Sequence, residues 1–525
     1  MSKRHRNRTG DLESMFLRLE ELVLAGSGED EFEVVFQLLV AKLWDERRAG
    51  ASRFRAGQIE ALLREAEAAW PGIVGDDAAI RLAPEHLAVC VDALGKHTVA
   101  GADLQVLDAF FEFLVSRGAK GVKGQYFTPR PVVELCVRML RPSKDESVLD
   151  PACGSGGFLL HALERVRREE GLEGASLSSY AAEKLWGFDI DARAVRVARA
   201  LMLVAADGRA NLACRNSLSD PDVAAAGPFD VILTNPPFAG EIRGRRLLDG
   251  YALGRGKPRV ERDVLFLERC VGLLKPGGRM AIVLPHNKLA GGAFESVRRW
   301  LMGETRVLAV VGLGRNTFLP HTHQKASVLF ARKRLPGEVP AGDEPIFFAV
   351  SERDGKDSKG RPRLRPGAGA GTPAWEAVDH DLAGIVDAVH GDPREHARCI
   401  VKQARDLDPP LVLAPERYDP RRTALRADAA GATLGEIAGS LRRTMSPATD
   451  GDARCMVLDT SDARDGFVLG RKEPVARAKI GSAKKLVEPG CVLISRLRPY
   501  LRQVALADGS IPGWQEGVSV VCSTE

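Results

Sequence analysis

Between residues 147 and 332 the chain repeats one pattern: a short apolar run, a turn, then a stretch with helical spacing. The runs are Ser147–Asp150, Leu185–Asp189, Val231–Thr234, Met280–Pro285, Val307–Gly312 and Ala326–Arg332, each too short for a helix. Gly157–Glu169, Ala192–Ala206 and Asp263–Leu274 carry apolar residues at spacings of three and four between them. Strands covered on both faces read as continuous apolar runs, so this alternation predicts a parallel α/β sheet flanked by helices.

With 525 residues the chain exceeds one ordinary core and calls for two to four domains. Residues 1–119 read as a helical domain. In Glu29–Asp45, Phe32, Val35, Phe36, Leu39, Leu43 and Trp44 form one apolar stripe, and Leu104, Leu107, Phe110, Phe111 and Leu114 form another. Residues 120–335 carry the α/β pattern. Residues 336–430 are a loop-rich connection with an expected helix at Trp375–His390; within it SERDGKDSKGRPR reads as an exposed hairpin and PERYDPRR as a turn. Residues 431–525 turn β-rich, with expected strands at Cys455–Asp459, Gly466–Leu469, Cys491–Ser495 and Ser519–Cys522.

The chemistry starts at the first strand. Val148-Leu149-Asp150-Pro151-Ala152-Cys153-Gly154-Ser155-Gly156-Gly157-Phe158 places an acid at a strand end, then a turn too tight for side chains, then a helix start. Glycines let a backbone approach a ligand, and a helix N-terminus offers free N–H groups. The spacing is not Gly-x-Gly-x-x-Gly, and the Lys-Ser/Thr of a phosphate loop is absent. Asp150 would repel phosphates and suits a ligand bearing an ammonium group, which favours S-adenosyl-L-methionine over a dinucleotide. Asp189 ends the next strand, where an acid can take both ribose hydroxyls of a nucleoside; Asp191 is the better candidate to cap the helix from Ala192.

The strand Phe229–Thr234 runs into Asn235-Pro236-Pro237-Phe238. Two prolines fix the backbone and remove N–H donors, so the carbonyls there only accept. The Asn235 side-chain oxygen and the Pro236 carbonyl can together accept both hydrogens of one planar amino group. That arrangement turns the nitrogen lone pair toward a methyl donor, while Phe238 supplies a face on which the ring can stack.

In this order the three motifs resemble the N6-adenine DNA methyltransferases, and within them the methylation subunit of type I restriction-modification systems. The resemblance takes in Gly124-Gln125-Tyr126-Phe127-Thr128-Pro129-Arg130 and Leu38–Glu46 upstream, and Leu274–Arg279, Leu284-Pro285 and Arg315-Asn316-Thr317-Phe318 through Phe330 downstream, about residues 10–335. It implies a Rossmann-like S-adenosylmethionine-dependent methyltransferase fold and an adenine flipped from duplex DNA into the pocket. Gln125 through Arg130 would close over the methionine part of the cofactor. The family's acid against the cofactor adenine is replaced here by Asn216, which can still accept from the adenine amino group. The cofactor set is then Gln125, Tyr126, Phe127, Thr128, Pro129, Arg130, Asp150, Cys153, Gly154, Ser155, Gly156, Gly157, Asp189 and Asn216; the catalytic set is Asn235, Pro236, Pro237 and Phe238.

Between Asn235 and the next expected helix, Gly240–Arg262 holds Arg243, Arg245, Arg246, Arg255, Lys257, Arg259 and Arg262. Beside a base pocket such a run is suited to DNA phosphates, with the first five as the contact set. Leu434–Ile437, Val457–Asp459, Leu486–Ser495 and Val518–Glu525 resemble part of a target-recognition domain of type I specificity subunits, shorter than such domains are in that family. The resemblance implies double-stranded DNA, a specificity subunit or second methylase copy, and a restriction subunit as partners. An alternative is a methylase-fold DNA-binding module of low activity within a defence complex, which Asn216 and the short tail allow. Methylation of RNA or of a protein glutamine amide uses similar Asn-Pro-Pro-aromatic chemistry, but the helical N-terminal domain and the recognition-like tail argue against it.

Composition removes other classes. No apolar run approaches the roughly 20 residues of a bilayer span, and the basic start MSKRHRNRTG lacks the apolar segment of a secretory signal, so a cytoplasmic protein is expected. The nine cysteines show no Cys-x-x-Cys spacing, and His321 and His323 have no Cys or carboxylate beside them, so no metal is expected. A net charge of +5 permits a polyanionic partner without requiring one.

Overall fold

A computed structural model describes residues 14, 17, 28–49, 54–75, 79–99, 107–108, 110–111, 127–206, 210–368, 372–392, 398–421, 434–441, 443–446, 453–464, 466–469, 471–495, 503–508, 511–514 and 518–522. Residues 1–427 form one compact unit and residues 428–525 a second.

The N-terminal part of the first unit is helical: α1 (Glu31–Ala49), α2 (Ile59–Ala69) and α3 (Pro84–Gly95). Acids open α1 (Glu31, Glu33) and Arg47 and Arg48 close it, as the helix dipole favours. The predicted stripe of α1 is only part of its buried surface. Val34, Leu38, Val40 and Ala41 are buried too, and even Lys42 is enclosed, paired with Glu46 at 3.1 Å. A helix covered on one side only would leave these positions wet. A later helix (Ala192–Ala206) covers the other side, adding Val197, Ala200, Leu201 and Leu203 to the same core. Of the second predicted helical stripe only Leu107, Asp108, Phe110 and Phe111 fall within the described residues.

The α/β part runs α4 (Arg130–Leu140), β1 (Val148–Asp150), α5 (Gly157–Glu170), α6 (Gly174–Lys184), β2 (Leu185–Asp189), α7 (Ala192–Ala206), β3 (Asn211–Cys214) and β4 (Phe229–Thr234). It continues through β5 (Glu241–Ile242), β6 (Val260–Glu261), α8 (Arg262–Leu273), β7 (Leu274–Pro285), α9 (Glu295–Glu304), β8 (Thr305–Gly312), β9 (Ala326–Lys333), β10 (Pro345–Val350), α10 (Leu382–His390) and β11 (Cys399–Gln403). Nine strands make one sheet in the order β11-β10-β8-β9-β7-β4-β1-β2-β3. Its two faces are packed separately: α4, α5 and α7 supply Leu135, Leu159, Leu163 and Val195 to one core, while α8 and α9 supply Val264, Leu267 and Leu301 to the other.

The architecture is Rossmann-like α/β with a helical N-terminal region and a β-rich C-terminal unit, but three expectations need correction. The sheet is mixed, because β9 lies antiparallel between β7 and β8. The thirteen residues from Leu313 to Lys325 contain no crossover helix, so the chain must turn straight back. Next, the α/β sheet does not end near residue 335. Ile346-Phe347-Phe348-Ala349-Val350 is a buried strand parallel to β8, and β11 pairs antiparallel with it. The Gly/Pro-rich flanks masked that run, and the edge strand Asn211–Cys214 was too short and polar to register. Third, the helix expected at Trp375–His390 is broken into Ala374–Ala377 and α10, because Val378 and His380 bridge to Leu364 and Asp354.

The second unit has a five-stranded sheet ordered Thr444–Met445, Lys484–Val487, Ser519–Cys522, Arg454–Leu458, Val475–Ala476, and a separate hairpin of Cys491–Ile494 with Val504–Ala507. Met456, Leu458, Val487, Ala505 and Val520 form its core. No helix among the described residues is long and apolar enough to cross a membrane.

Candidate active site

The parallel strands β1, β4, β7, β8 and β10 end along one edge of the sheet, and a ligand of an open α/β sheet binds beyond such carboxyl ends. The glycine turn after β1 is pinned there by its neighbours. Cys153 N–H donates to Phe188 O (3.0 Å), Gly154 N–H to Asp189 Oδ2 (3.0 Å), and Ser217 Oγ to Pro151 O (2.6 Å). Gly156 sits at φ +88°, and a Cβ there would lie 3.0 Å from the Cβ of Ala198 on α7. Only glycine satisfies both the backbone and the helix packed against it.

Asp150 lies under this turn, 1% exposed, and its Oδ1 accepts from Thr234 Oγ1 (2.7 Å) and Ala152 N–H (3.0 Å). Burial pushes its pKa up to about 7, against the pull of those two bonds. Asp189, at the end of β2, is also pushed up by burial, although Asp191 N–H (2.9 Å) and Gly154 N–H donate to its two oxygens. Two carboxylates whose ionisation lacks a cation are what a ligand carrying positive charge would complete. Asp191, as expected from sequence, caps α7 by accepting from Arg193 N–H (2.9 Å).

Asn235 follows Thr234 directly. Its Nδ2 donates to Thr128 Oγ1 at 3.0 Å, and its Oδ1 is buried without a hydrogen-bond partner among the described residues. A buried acceptor left open is costly unless a ligand fills it. Phe127, Thr128, Arg130, Asp150, Cys153, Gly154, Ser155, Gly157 and Asn235 line one cleft, so the predicted upstream motif, glycine turn and Asn-Pro-Pro element meet at one place. Pro129 starts α4 beside them, and Pro236 is buried and Pro237 half-buried at the end of β4. Gln125 and Tyr126 lie outside the described residues.

Arg130 pairs with Asp108 at 2.6 Å, and its guanidinium lies 3.3 Å from the position a Cβ would take on Gly157. Asp108 is wholly buried. Its signal in the sequence is a carboxylate within the otherwise apolar stripe that runs from Leu104 to Phe111. Two other side chains had no role from sequence: Thr234, the link between Asp150 and the catalytic loop, and Phe318.

Two candidate residues differ from expectation. Phe238 is 8% exposed, its ring at 72° to that of Phe318 in the loop after β8 with centroids 5.5 Å apart, so the ring expected to receive a base is packed into the protein. Asn216 is exposed, and its Oδ1 accepts from Leu218 N–H (3.1 Å), closing its own turn and leaving one lone pair for a ligand. In the basic excursion β5 and β6 pair Glu241 with Glu261 and Ile242 with Val260, and the loop between them exposes Arg243, Arg245, Arg246, Arg255 and Lys257. Arg243 and Arg259 share Glu241 at 3.1 and 3.4 Å, while Arg245 has only Asp249 at 3.8 Å. No cluster of three metal-ligating side chains occurs among the described residues.

Comparison with known proteins agrees with this geometry. A family model described as N-6 DNA Methylase matches residues 103–367. The type I restriction enzyme EcoEI methylase subunit of Escherichia coli is 28% identical over 233 residues, 44% of this chain and 46% of that protein. The StySPI methylase subunit of Salmonella potsdam is 30% identical over 237 residues, 42% of this chain and 43% of that one. Each match thus spans a little under half the length of the relative. In fold, the chain is similar to a modification subunit of a putative type I restriction enzyme from Vibrio vulnificus YJ016, with a TM-score of 0.58 at 19% identity over 77% of this chain and 94% of that one.

Proposed function

Because this chain belongs to the N-6 DNA methylase family, whose model covers half of it, we propose that it methylates N6 of adenine at defined sites in duplex DNA. The methyl donor is S-adenosyl-L-methionine, and the setting is a restriction-modification or related defence system. The observation that carries this reading is the open, buried Oδ1 of Asn235, held in the cleft by the bond from its Nδ2 to Thr128.

The residues present fit the cofactor. Asp150 and Asp189 offer negative charge to its ammonium and acceptors to its ribose, and the glycine turn gives it backbone to lie against. Bound there, it supplies an electrophilic methyl group on a sulfonium. The chain's own work is alignment. Asn235 Oδ1 and the Pro236 carbonyl accept the two hydrogens of the adenine amino group, and Phe238 stacks on the base. Holding nitrogen and methyl carbon in line is the larger share of the acceleration such a site can provide. The sulfonium would give up its methyl group and leave as a neutral thioether, while the amino nitrogen held by Asn235 and Pro236 would pass one proton to solvent, so that the product is a neutral methylamine.

The exposed arginines of the 243–257 loop contact the phosphates. Partners that complete the assembly are a specificity subunit or second methylase copy, and a restriction subunit. The 431–525 segment acts as a partial target-recognition element, and the protein works in the cytoplasm.

The test is nucleoside mass spectrometry of unmethylated DNA incubated with the chain and S-adenosylmethionine, with Asn235→Ala as control. N6-methyladenine that disappears in the variant supports the enzyme. No methylated base, with and without a specificity partner, favours the alternative of a binding module, toward which the engaged oxygen of Asn216 points.

A further inference from the structure

The segment after β10 reads Glu352-Arg353-Asp354-Gly355-Lys356-Asp357-Ser358-Lys359-Gly360-Arg361-Pro362-Arg363-Leu364-Arg365. It is a built hairpin. Asp357 N–H donates to Arg361 O (2.9 Å), the Asp357 carboxylate accepts from Lys359 N–H (2.8 Å) and Arg361 N–H (2.9 Å), and Lys356 bridges Pro362. A third segment braces it, Leu364 bridging Val378 and Asp354 bridging His380.

The hairpin is fastened to the active-site edge. Lys356 Nζ donates to Leu319 O (2.8 Å), and Asp354 Oδ2 accepts from Asn316 N–H (2.8 Å). At Gly360 (φ +82°) a Cβ would fall 2.7 Å from the Leu319 carbonyl carbon and the Pro320 nitrogen. The loop so gripped carries Phe318, the ring packed on Phe238 of the catalytic element.

Lys359, Arg361 and Arg363 are exposed and make no ion pair within 4 Å among the described residues, although Arg361 and Arg363 lie close enough to the Asp357 carboxylate to lower its pKa. Most of the arginines in the first unit, by contrast, are tied to carboxylates or carbonyls. β10 is parallel to β8, so the hairpin leaves the sheet at the same edge as Asn235. Four strand-to-strand steps separate β4 from β10, a span of about 19 Å at the usual spacing. The basic loop after β4 packs toward the other end of that edge, where Tyr251 Oη donates to Leu218 O (2.7 Å) in the turn after β3, so the loop and this hairpin lie on opposite sides of the end of β4.

We propose that the 354–364 hairpin is a second phosphate-binding element, which holds the DNA backbone on the side of the pocket opposite the 243–257 loop through Lys359, Arg361 and Arg363. This rests on the reading of the chain as a DNA methyltransferase.

The test is fluorescence anisotropy of the full chain on a mixed-sequence DNA duplex, over a salt series from about 50 to 200 mM, where each phosphate contact contributes about 0.9 to the slope of log K against log salt. Lys359→Ala/Arg361→Ala/Arg363→Ala should flatten that slope by about 0.9 to 2.7 and leave S-adenosylmethionine binding unchanged. A single charge reversal at the tip, Lys359→Glu, should act in the same direction and guards against a triple variant that fails to fold. Lys144→Ala/Arg167→Ala/Arg168→Ala, at the other end of the strands, is the control for net charge. If the wild type binds DNA and the hairpin variants keep its slope, or lose no more than the control, the hairpin proposal is overturned while the methyltransferase reading stands. If the wild type shows no DNA binding either alone or with a specificity partner, both are overturned.

Discussion

Thr128 and Asn235, 107 residues apart in sequence, meet through a 3.0 Å hydrogen bond in which the Asn235 amide donates and the Thr128 hydroxyl accepts. Because the nitrogen of that amide is engaged, its oxygen is turned into the cleft. Thr234, the preceding residue, binds Asp150, so one short relay of polar contacts fixes the donor-side acid and the acceptor-side amide together.

Thr128 is thus a positioning residue as well as part of the cleft wall. Thr128→Val should lower kcat about tenfold, the worth of one net hydrogen bond, with little change in the KM for S-adenosylmethionine. Thr128→Ser should restore the rate. Steady-state kinetics on the three proteins decide it; equal losses in the Val and Ser variants would mean that bulk alone matters there.

Asp150 makes stability depend on pH. Its folded pKa of about 7 stands above the ordinary 3.8, so the folded state holds the proton more tightly than the unfolded state does. Its contribution is fully present below about pH 4 and is lost as pH rises through 7, at up to about 1.4 kcal/mol per unit. Asp150→Asn should flatten urea-unfolding free energies between pH 5 and 8, at about those limits. A cationic cofactor favours the ionised form, so S-adenosylmethionine affinity of the wild type should rise over the same range.

Glu134 behaves in the opposite sense. Burial would raise its pKa, but His161 Nδ1 at 2.8 Å and Arg138 Nε at 2.8 Å outweigh that and bring it down to about 2. The stabilisation is present above the unfolded value of 4.5 and is lost as pH falls toward 2. Glu134→Gln should cost about 1–3 kcal/mol at neutral pH, and chemical denaturation should show the gap to wild type closing in acid. A gap that persists at pH 3 would point to packing instead.

Phe318 supports the catalytic ring from a separate loop. Phe318→Leu keeps the site apolar and removes the edge-on contact with Phe238, worth about 0.5–1.5 kcal/mol. Methyl transfer should fall several-fold while cofactor binding is retained. Calorimetry with S-adenosylmethionine beside the transfer assay separates the two.

The parts of this molecule that could be read from sequence are those whose information is local. The glycine turn, the acids ending β1 and β2, and Asn235–Phe238 each need a particular residue type at a particular strand end, so a few neighbouring letters specify them. What was not legible depends on pairing across distance. Ile346–Val350 looks like any apolar run until β8 is seen to need a partner, and the antiparallel insertion of β9 follows from a loop too short for a crossover. The Thr128–Asn235 bond, the burial of Phe238 under Phe318 and the Arg130–Asp108 pair join residues that no periodicity relates.

The core shared by α1 and α7 limits how this chain can be divided. Arg196 of α7 binds Glu33 (2.8 Å) and the carbonyls of Ile73 and Val74, Arg199 binds the carbonyl of Gly72, and Val197, Leu201 and Leu203 are sealed beneath the N-terminal helices. The same α7 begins three residues past Asp189. The helical region is therefore not a cassette to be trimmed or traded between relatives: its removal would strip the back of the helix that follows Asp189. A ligand seated at Asp189 and a protein seated on the N-terminal helices would bear on the same helix, the first at its start and the second along its length.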